Sequence, residues 1–496
     1  MKVNLMYRER DFEPEQPLPD NAEELIQDLD LATLFGAMAR GDAFLLEVAQ
    51  RGVLSSLTDP EAIAYRQEIL ADCLAQPEVI RQFYDLAVAA LQAERQVYGI
   101  FRRSPSSVLT RSRQVLKLFV GFLRQLRQLA DSQQAAFDSE GMGRLLGMLR
   151  TELDDAYFAT VERHLETLEL RQGVLISAHL GAGNKGEGYR LHDASPVEQS
   201  WLARLGIGGR SPYTIEVSPR DEAGARALGE LTGQGINLVG NALAQSVDHI
   251  LSFFTLLRAE LGFYIGCLNL HATLSGFGAQ LCTPEALPGA AAALSCRGLY
   301  DMGLALRTGK AVVANDLEAD GKRLVLITGA NSGGKSTFIR GIGLAQLLLQ
   351  CGMFVAAESC RASVCQGVFT HFIREEDSTM TSGKLDEELG RMSQLADELG
   401  PGALVLFNES FAATNESEGS EVARQIVTAL LESEIKVVYV THLFDLVERF
   451  YAQQLDSALF LRAERLDDGR RTYKLLVDQP LPTSFGEDMY ARLGGW

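Results

Sequence analysis

The chain has 496 residues, 46% hydrophobic and 22% charged, a globular composition too long for a single core, so roughly two to four domains are expected. Its formal charge of −19, from 46 Lys+Arg against 65 Asp+Glu, excludes a uniformly basic nucleic-acid coat, because phosphate binding draws its affinity from Lys and Arg. Seven scattered cysteines suit free thiols in a reducing compartment; the amino terminus lacks the apolar core of a signal peptide, and no apolar run approaches the ~18 residues of a membrane span, which predicts a cytoplasmic protein with no membrane partner.

Residues 1–21 read as a tail. From 22 to 172 apolar residues recur at helical spacing with few breakers; Asp59-Pro60-Glu61 marks a helix start, with Asp as cap and Pro in the first turn. Within this all-α region the stretch Phe101–Ala130 carries no acid, and Arg102, Arg103, Arg111, Arg113, Lys117, Arg124 and Arg127 recur among Leu116, Phe119, Leu123 and Leu126. That is a basic amphipathic helix, whose polar side is either a solvated face or a phosphate-facing stripe. Residues 173–240 change character: glycines punctuate short β-like runs such as Val174–Ile176 and Tyr213–Val217, which predicts a small β-containing insertion. Helical pattern resumes over 241–288 through Phe253, Phe254, Leu257 and Tyr264.

From 289 to 496 the texture becomes α/β. The runs Leu324–Ile327, Ala403–Phe407 and Val437–Val440, each bounded by breakers and separated by helical stretches, read as buried parallel strands. An antiparallel pair is expected around Asp467-Asp468-Gly469. Directly after the first of these strands stands Gly329-Ala330-Asn331-Ser332-Gly333-Gly334-Lys335-Ser336-Thr337, which satisfies G-x-x-x-x-G-K-[ST] in the strand-to-helix context its chemistry needs. Backbone N–H groups of such a loop wrap phosphates at a helix amino end. Lys335 would neutralise the β/γ oxygens of ATP and Ser336 would ligate Mg²⁺.

The strand ending Leu406-Phe407-Asn408-Glu409 presents Glu409 as the candidate to orient and activate the attacking water. Asn408 stands where an Asp would support the metal; its amide oxygen can accept from metal-bound water without charge, so slow turnover is expected. Thr441-His442 follows the next strand, where His442 can hold the same water and sense the γ-phosphate. The other histidines share no spacing and are assigned no metal role.

Taken together, T-G-A-N-S-G-G-K-S-T-F, L-V-L-F-N-E-S and V-T-H-L-F-D-L resemble the ATPase domain of the MutS family of DNA mismatch-repair proteins. The similarity extends to V-V-A-N-D-L at Val312–Leu317, E-L-G-F-Y at Glu260–Tyr264 and S-S-L-T-D-P-E-A-I at Ser55–Ile63. The resemblance implies a helical lever core (22–172 and 241–288) bearing a clamp-like insertion (173–240), then an ABC-type P-loop ATPase domain (289–496) that dimerises with composite nucleotide sites. It also implies that Asn331, Val312 and Val313 lie near the nucleotide base, and that Ser382 in Thr381-Ser382-Gly383 reaches the γ-phosphate of a partner subunit.

Two departures are as informative. Core-like sequence begins almost at once, so the family's mismatch-reading domain and connector are expected to be absent, and Phe411–Gly419 stands in place of its usual Gly/Arg-rich and Asp-Gly loop. The leading expectation is a homodimeric ATPase acting on duplex or branched DNA. The alternative is a nucleotide-gated switch acting on a protein or ribonucleoprotein partner. Acid concentrates in residues 1–100 and 351–450, which confines any DNA contact to the middle of the chain.

Overall fold

The helical spacing of the first 167 residues becomes a succession of helices in the computed structural model, which describes residues 1–97, 104–171, 173–184, 186–192, 221–374, 383–466 and 468–481. By its contacts the chain divides into two compact units. One comprises Met1–Val3, Glu78–Phe137 and Gly143–Arg258; the other comprises Asn4–Pro77, Asp138–Met142 and the chain from Ala259 onward.

In the first unit the basic amphipathic sequence folds as the 29-residue helix Pro105–Gln133. Its apolar face, with Phe119, Leu123 and Leu126 fully buried, packs against the long helix Glu222–Ser275, where the ring of Phe119 lies 5.4 Å from that of Phe254. Strands β1 (Leu175–Leu180) and β2 (Gly186–His192) form an antiparallel hairpin, the β element expected of the insertion. The insertion's expected carboxyl boundary moves, however: helix already begins at Glu222 rather than near 241. The run E-A-G-A-R-A-L-G-E-L is rich in strong helix formers, and each interspersed Gly costs a helix only about 1 kcal/mol, so glycines that read as breakers are tolerated. Tyr213–Val217 lies outside the described residues. The long helix carries an 18-residue stretch apolar enough to cross a membrane, and 72% of that stretch is buried inside the protein.

The second unit joins the first helices to the α/β region. Asp59 caps the helix Pro60–Ala75 by accepting from Glu61 N–H, as its sequence predicts. The preceding helices Ala22–Asp28, Leu31–Ala39 and Ala43–Leu54 dock on the sheet side of the molecule. The Asn21 amide donates to Val368 O at 2.8 Å, Leu57 N–H to Gln350 O at 2.8 Å, and Arg307 pairs with Asp30. Residues 22–77 therefore pack with the α/β region and do not continue the helical unit, as the division at 172 had it. Apolar periodicity tells that a helix face is buried, not against what. A further tie is Glu260, fully buried, whose carboxylate accepts from the backbone N–H of Leu5, Met6 and Phe12 at 2.5, 2.9 and 3.0 Å.

Two sheets follow. A four-stranded sheet runs β3 (Glu285–Leu287), β7 (Ser359–Ser363), β4 (Leu294–Leu299), β5 (Asn315–Glu318) in spatial order; strands this short gave no alternation to read. The larger sheet is ordered β12 (Arg471–Val477), β11 (Ala458–Arg465), β6 (Leu324–Gly329), β10 (Lys436–Val440), β9 (Leu404–Asn408), β8 (Val368–Phe372). It is parallel except for β12, which pairs antiparallel with β11, the expected carboxyl-terminal pair. All six residues of β6 are buried, as a central parallel strand covered on both faces requires. Five cysteines are free thiols. The β4–β7 register sets Cys296 and Cys360 opposite one another, with Cα atoms 4.1 Å apart.

Candidate nucleotide site

Three adjacent strands of the large sheet end at the same level, and their ends hold the chemistry. β6 delivers the loop Gly329–Gly334, β9 delivers Asn408 and Glu409, and β10, hydrogen-bonded between them, delivers His442 two residues past its end. Glu409 N–H donates to Val440 O at 2.8 Å and Thr441 N–H to Ile327 O at 3.1 Å, which locks the three ends in register. Ligands of parallel sheets bind at this carboxyl edge.

The loop's form depends on its glycines. Gly329 has φ +108°, and a Cβ there would stand 2.8 Å from Ala463 N; Gly334, at φ +92°, caps the helix Lys335–Gln350. Lys335 is 4% exposed and donates from Nζ to Gly329 O at 3.0 Å and Ala330 O at 3.1 Å. Burial lowers its pKa to about 8, against the opposing pull of Glu409. An ammonium held by two neutral carbonyls in a buried place favours the arrival of an anion.

Beside it, Ser336 Oγ donates to Asn408 Oδ1 at 3.0 Å. This hydroxyl and amide oxygen, with the Glu409 carboxylate in the next position of the chain, make an all-oxygen donor set, which is what a hard cation such as Mg²⁺ takes. Glu409 sits at φ +58° and its Oε1 lies 2.9 Å from His442 Nε2. That hydrogen bond, ahead of the opposing effect of burial, holds the carboxyl below the usual carboxylate range. Glu409 is thus ionised at neutral pH and its orientation is fixed by the imidazole.

A cavity of about 610 Å³ opens over the loop. Ser332, Gly333, Gly334, Lys335, Ser336, Thr337, Val312, Val313 and Glu409 all line it. Gly329 and Ala330 lie below, their carbonyls engaged by Lys335. Asn331 is not on the cavity wall; its carbonyl accepts from Arg471 Nε at 3.2 Å. Tyr473, which no sequence motif marks, is half exposed on the wall and is fixed by Asn315, whose Nδ2 donates to Tyr473 O at 3.0 Å. Asp301 on the same wall accepts from Arg340 Nε at 2.9 Å, tying the loop's helix to the wall. Neither residue stands in a recognisable motif; only the fold brings them here.

The candidate phosphate stripe has a different fate. Arg111 pairs with Glu94, Arg113 with Glu169, Arg124 with Glu162 and Arg127 with Asp131, while Lys117 is exposed. Arg102, Arg103 and Ser382 lie outside the described residues.

A family model described as the MutS2 N-terminal domain matches residues 58–277, and one described as MutS domain V matches residues 325–491. The DNA mismatch repair protein MutS of Thermus aquaticus is 30% identical over 182 residues, 37% of this chain and 22% of that protein. The corresponding protein of Thermotoga sp. is 32% identical over 155 residues, 31% and 20% of the two chains. The endonuclease MutS2 of Thermus thermophilus is 31% identical over 169 residues, 34% and 23%. The chain thus spans between 20% and 23% of the length of these curated relatives. With one model over most of the helices and the other over the phosphate loop and the strand ends that carry Asn408, Glu409 and His442, the chain belongs to the MutS family.

Proposed function

We propose that the protein is a Mg²⁺-dependent ATPase that acts on DNA in repair or recombination, working as a homodimer. The observation that carries this reading is the convergence of Lys335, Ser336, Asn408, Glu409 and His442 at one sheet edge beside a cavity of nucleotide size. The loop N–H groups and Lys335 bind the β- and γ-phosphates, and Val312 and Val313 lie toward the base. Glu409, kept ionised by His442, accepts a proton from the attacking water and orients it toward the γ-phosphate. Ser336 and Asn408 would hold Mg²⁺, which neutralises phosphate charge when bound. Because Asn408 brings no charge, turnover is slow.

In this reading closure of two ATPase domains, with Ser382 reaching the partner's γ-phosphate, moves the helical units around a DNA duplex. The arginines of Pro105–Gln133 would exchange intramolecular acids for phosphates; exposed pairs are worth only about 0–1 kcal/mol each, so the exchange is affordable. The same pairing, however, supports a second reading: a cytoplasmic nucleotide-gated switch on a protein or ribonucleoprotein partner, since most of the stripe is already neutralised. Binding of duplex and branched DNA, with and without ATP over a salt series, separates them. A DNA affinity falling linearly in log–log with salt supports the first, and no salt-dependent binding under any nucleotide condition refutes it.

A further inference from the structure

Glu388 belongs to no motif and does not line the nucleotide cavity, yet it is 2% exposed, on the helix Lys384–Glu398. Its Oε2 accepts from Phe411 N–H at 2.6 Å. Phe411 lies two residues past Glu409, and both adopt the left-handed region, at φ +63° and +58°, which is costly for residues bearing a Cβ. Such a backbone persists only where its surroundings over-determine it, and here they do. Tyr439 O–H donates to Ser410 O at 2.5 Å, and Ser410 Oγ lies 2.8 Å from His371 Nδ1.

Burial lowers the His371 pKa to about 4, so the ring is neutral. Its Nε2 lies 3.0 Å from Glu388 O, and the Ser410 hydroxyl beside Nδ1 donates to His371 O at 2.5 Å, so the ring and its backbone both hold Ser410. Glu388 therefore touches the turn 409–411 twice: directly through its carboxylate, and through its own carbonyl by way of His371 and Ser410. Every other bond just described comes from within the sheet; Glu388 supplies the link from a helix outside it. Its second carboxylate oxygen, Oε1, is buried without a hydrogen-bond partner among the described residues. Keeping a carboxylate in such a place costs free energy, which the Phe411 bond offsets first and the nearby charges of Arg391 and Lys384 after it.

We infer that Glu388 is a positioning residue for ATP hydrolysis: by holding Phe411 N–H it sets the left-handed turn that aims Glu409, so the placement of the helix Lys384–Glu398 governs whether the general base is aligned. This rests on the reading of Glu409 given above. A shift of that helix which released Phe411 would relax the turn and rotate Glu409 away from His442, without touching the phosphate loop.

The test compares Glu388→Ala, Glu388→Gln and Glu409→Gln in the full chain, measuring kcat and KM for ATP, affinity for a fluorescent ATP analogue, and Tm. Glu388→Ala is expected to lower kcat about tenfold or more with KM and analogue affinity within about twofold of the parent. Glu388→Gln is expected to restore most of kcat, because its amide oxygen still accepts from Phe411 N–H. A parental kcat in Glu388→Ala overturns the inference. So does a joint loss of analogue affinity and Tm in both variants, which would make Glu388 a structural residue only, or a Glu388→Gln as impaired as Glu388→Ala. If Glu409→Gln is inactive while Glu388→Ala is not, the positioning role alone falls. If Glu409→Gln hydrolyses at the parental rate, the reading of the general base falls and this inference with it.

Discussion

Raising the pH should weaken nucleotide binding. Lys335 in the free protein has its pKa lowered to about 8, chiefly by burial, whereas the phosphates of a bound nucleotide would supply the charged partner it lacks and return it toward its ordinary value near 10.5. Binding above pH 8 must then take up a proton. Between pH 7 and pH 9.5 the dissociation constant should rise about 30-fold, which corresponds to about 2 kcal/mol at 1.36 kcal/mol per unit. Isothermal titration with a non-hydrolysable ATP analogue, in two buffers of different ionisation enthalpy, measures both the affinity and the proton. Lys335→Met serves as the reference that has no ammonium to lose. A dissociation constant flat to within threefold over this range, with no proton uptake at pH 9, would refute the reasoning. For folding of the nucleotide-free protein the effect runs the other way. Between about pH 8 and 10.5 the unfolded chain holds the Lys335 proton and the folded one does not, so stability of the nucleotide-free protein rises with pH in that window.

Three other substitutions probe separate features. Asn408→Asp adds a charge beside Ser336 Oγ and should lower the Mg²⁺ concentration for half-maximal hydrolysis about tenfold while raising turnover; an unchanged Mg²⁺ dependence would show that this position does not face the metal. Gly334→Ala meets only an ordinary contact with Tyr473, at 3.5 Å, so its cost comes from φ +92° alone. A loss of about 1–2 kcal/mol, read as a lowered denaturation midpoint together with weaker nucleotide binding, is the expected outcome. Glu260→Ala would orphan the buried N–H groups of Leu5, Met6 and Phe12, at about 1–3 kcal/mol each. Limited proteolysis should then cut within residues 4–12 under conditions where the parent is protected, and equal protection would argue against the anchor.

The phosphate loop and the strand ends were legible because each requirement there is local: glycines where φ is positive, an apolar run followed by a polar residue, a Lys one step into a helix. Lys335, Ser336, Glu409 and His442 could be named and their neighbourhood inferred because parallel strands place their carboxyl ends on one edge. Tyr473, Asp301 and Glu388 could not, since each reaches the site from an element distant in sequence and carries no pattern of its own. The basic helix was legible as a helix but not in its electrostatics. Its arginines were visible in the sequence, whereas Glu94, Glu162 and Glu169, which pair with three of them, lie on neighbouring segments whose packing periodicity does not reveal. The glycine-rich stretch misled at Glu222 because composition alone does not separate a glycine in a turn from one tolerated in a long helix.

The union of residues 4–77 with the α/β region has a consequence for how the chain is made. Asn21 waits for Val368, Leu57 for Gln350 and Leu5 for Glu260, partners separated by 347, 293 and 255 positions. Closing such long loops is entropically slow, so the first helices leave the ribosome long before the strands that cover them exist. Their apolar faces, Leu29, Leu34 and Phe35 among them, remain bare through most of synthesis. A fragment started at residue 289 would never acquire that cover, and the nucleotide site would stand on a sheet with one flank open to water.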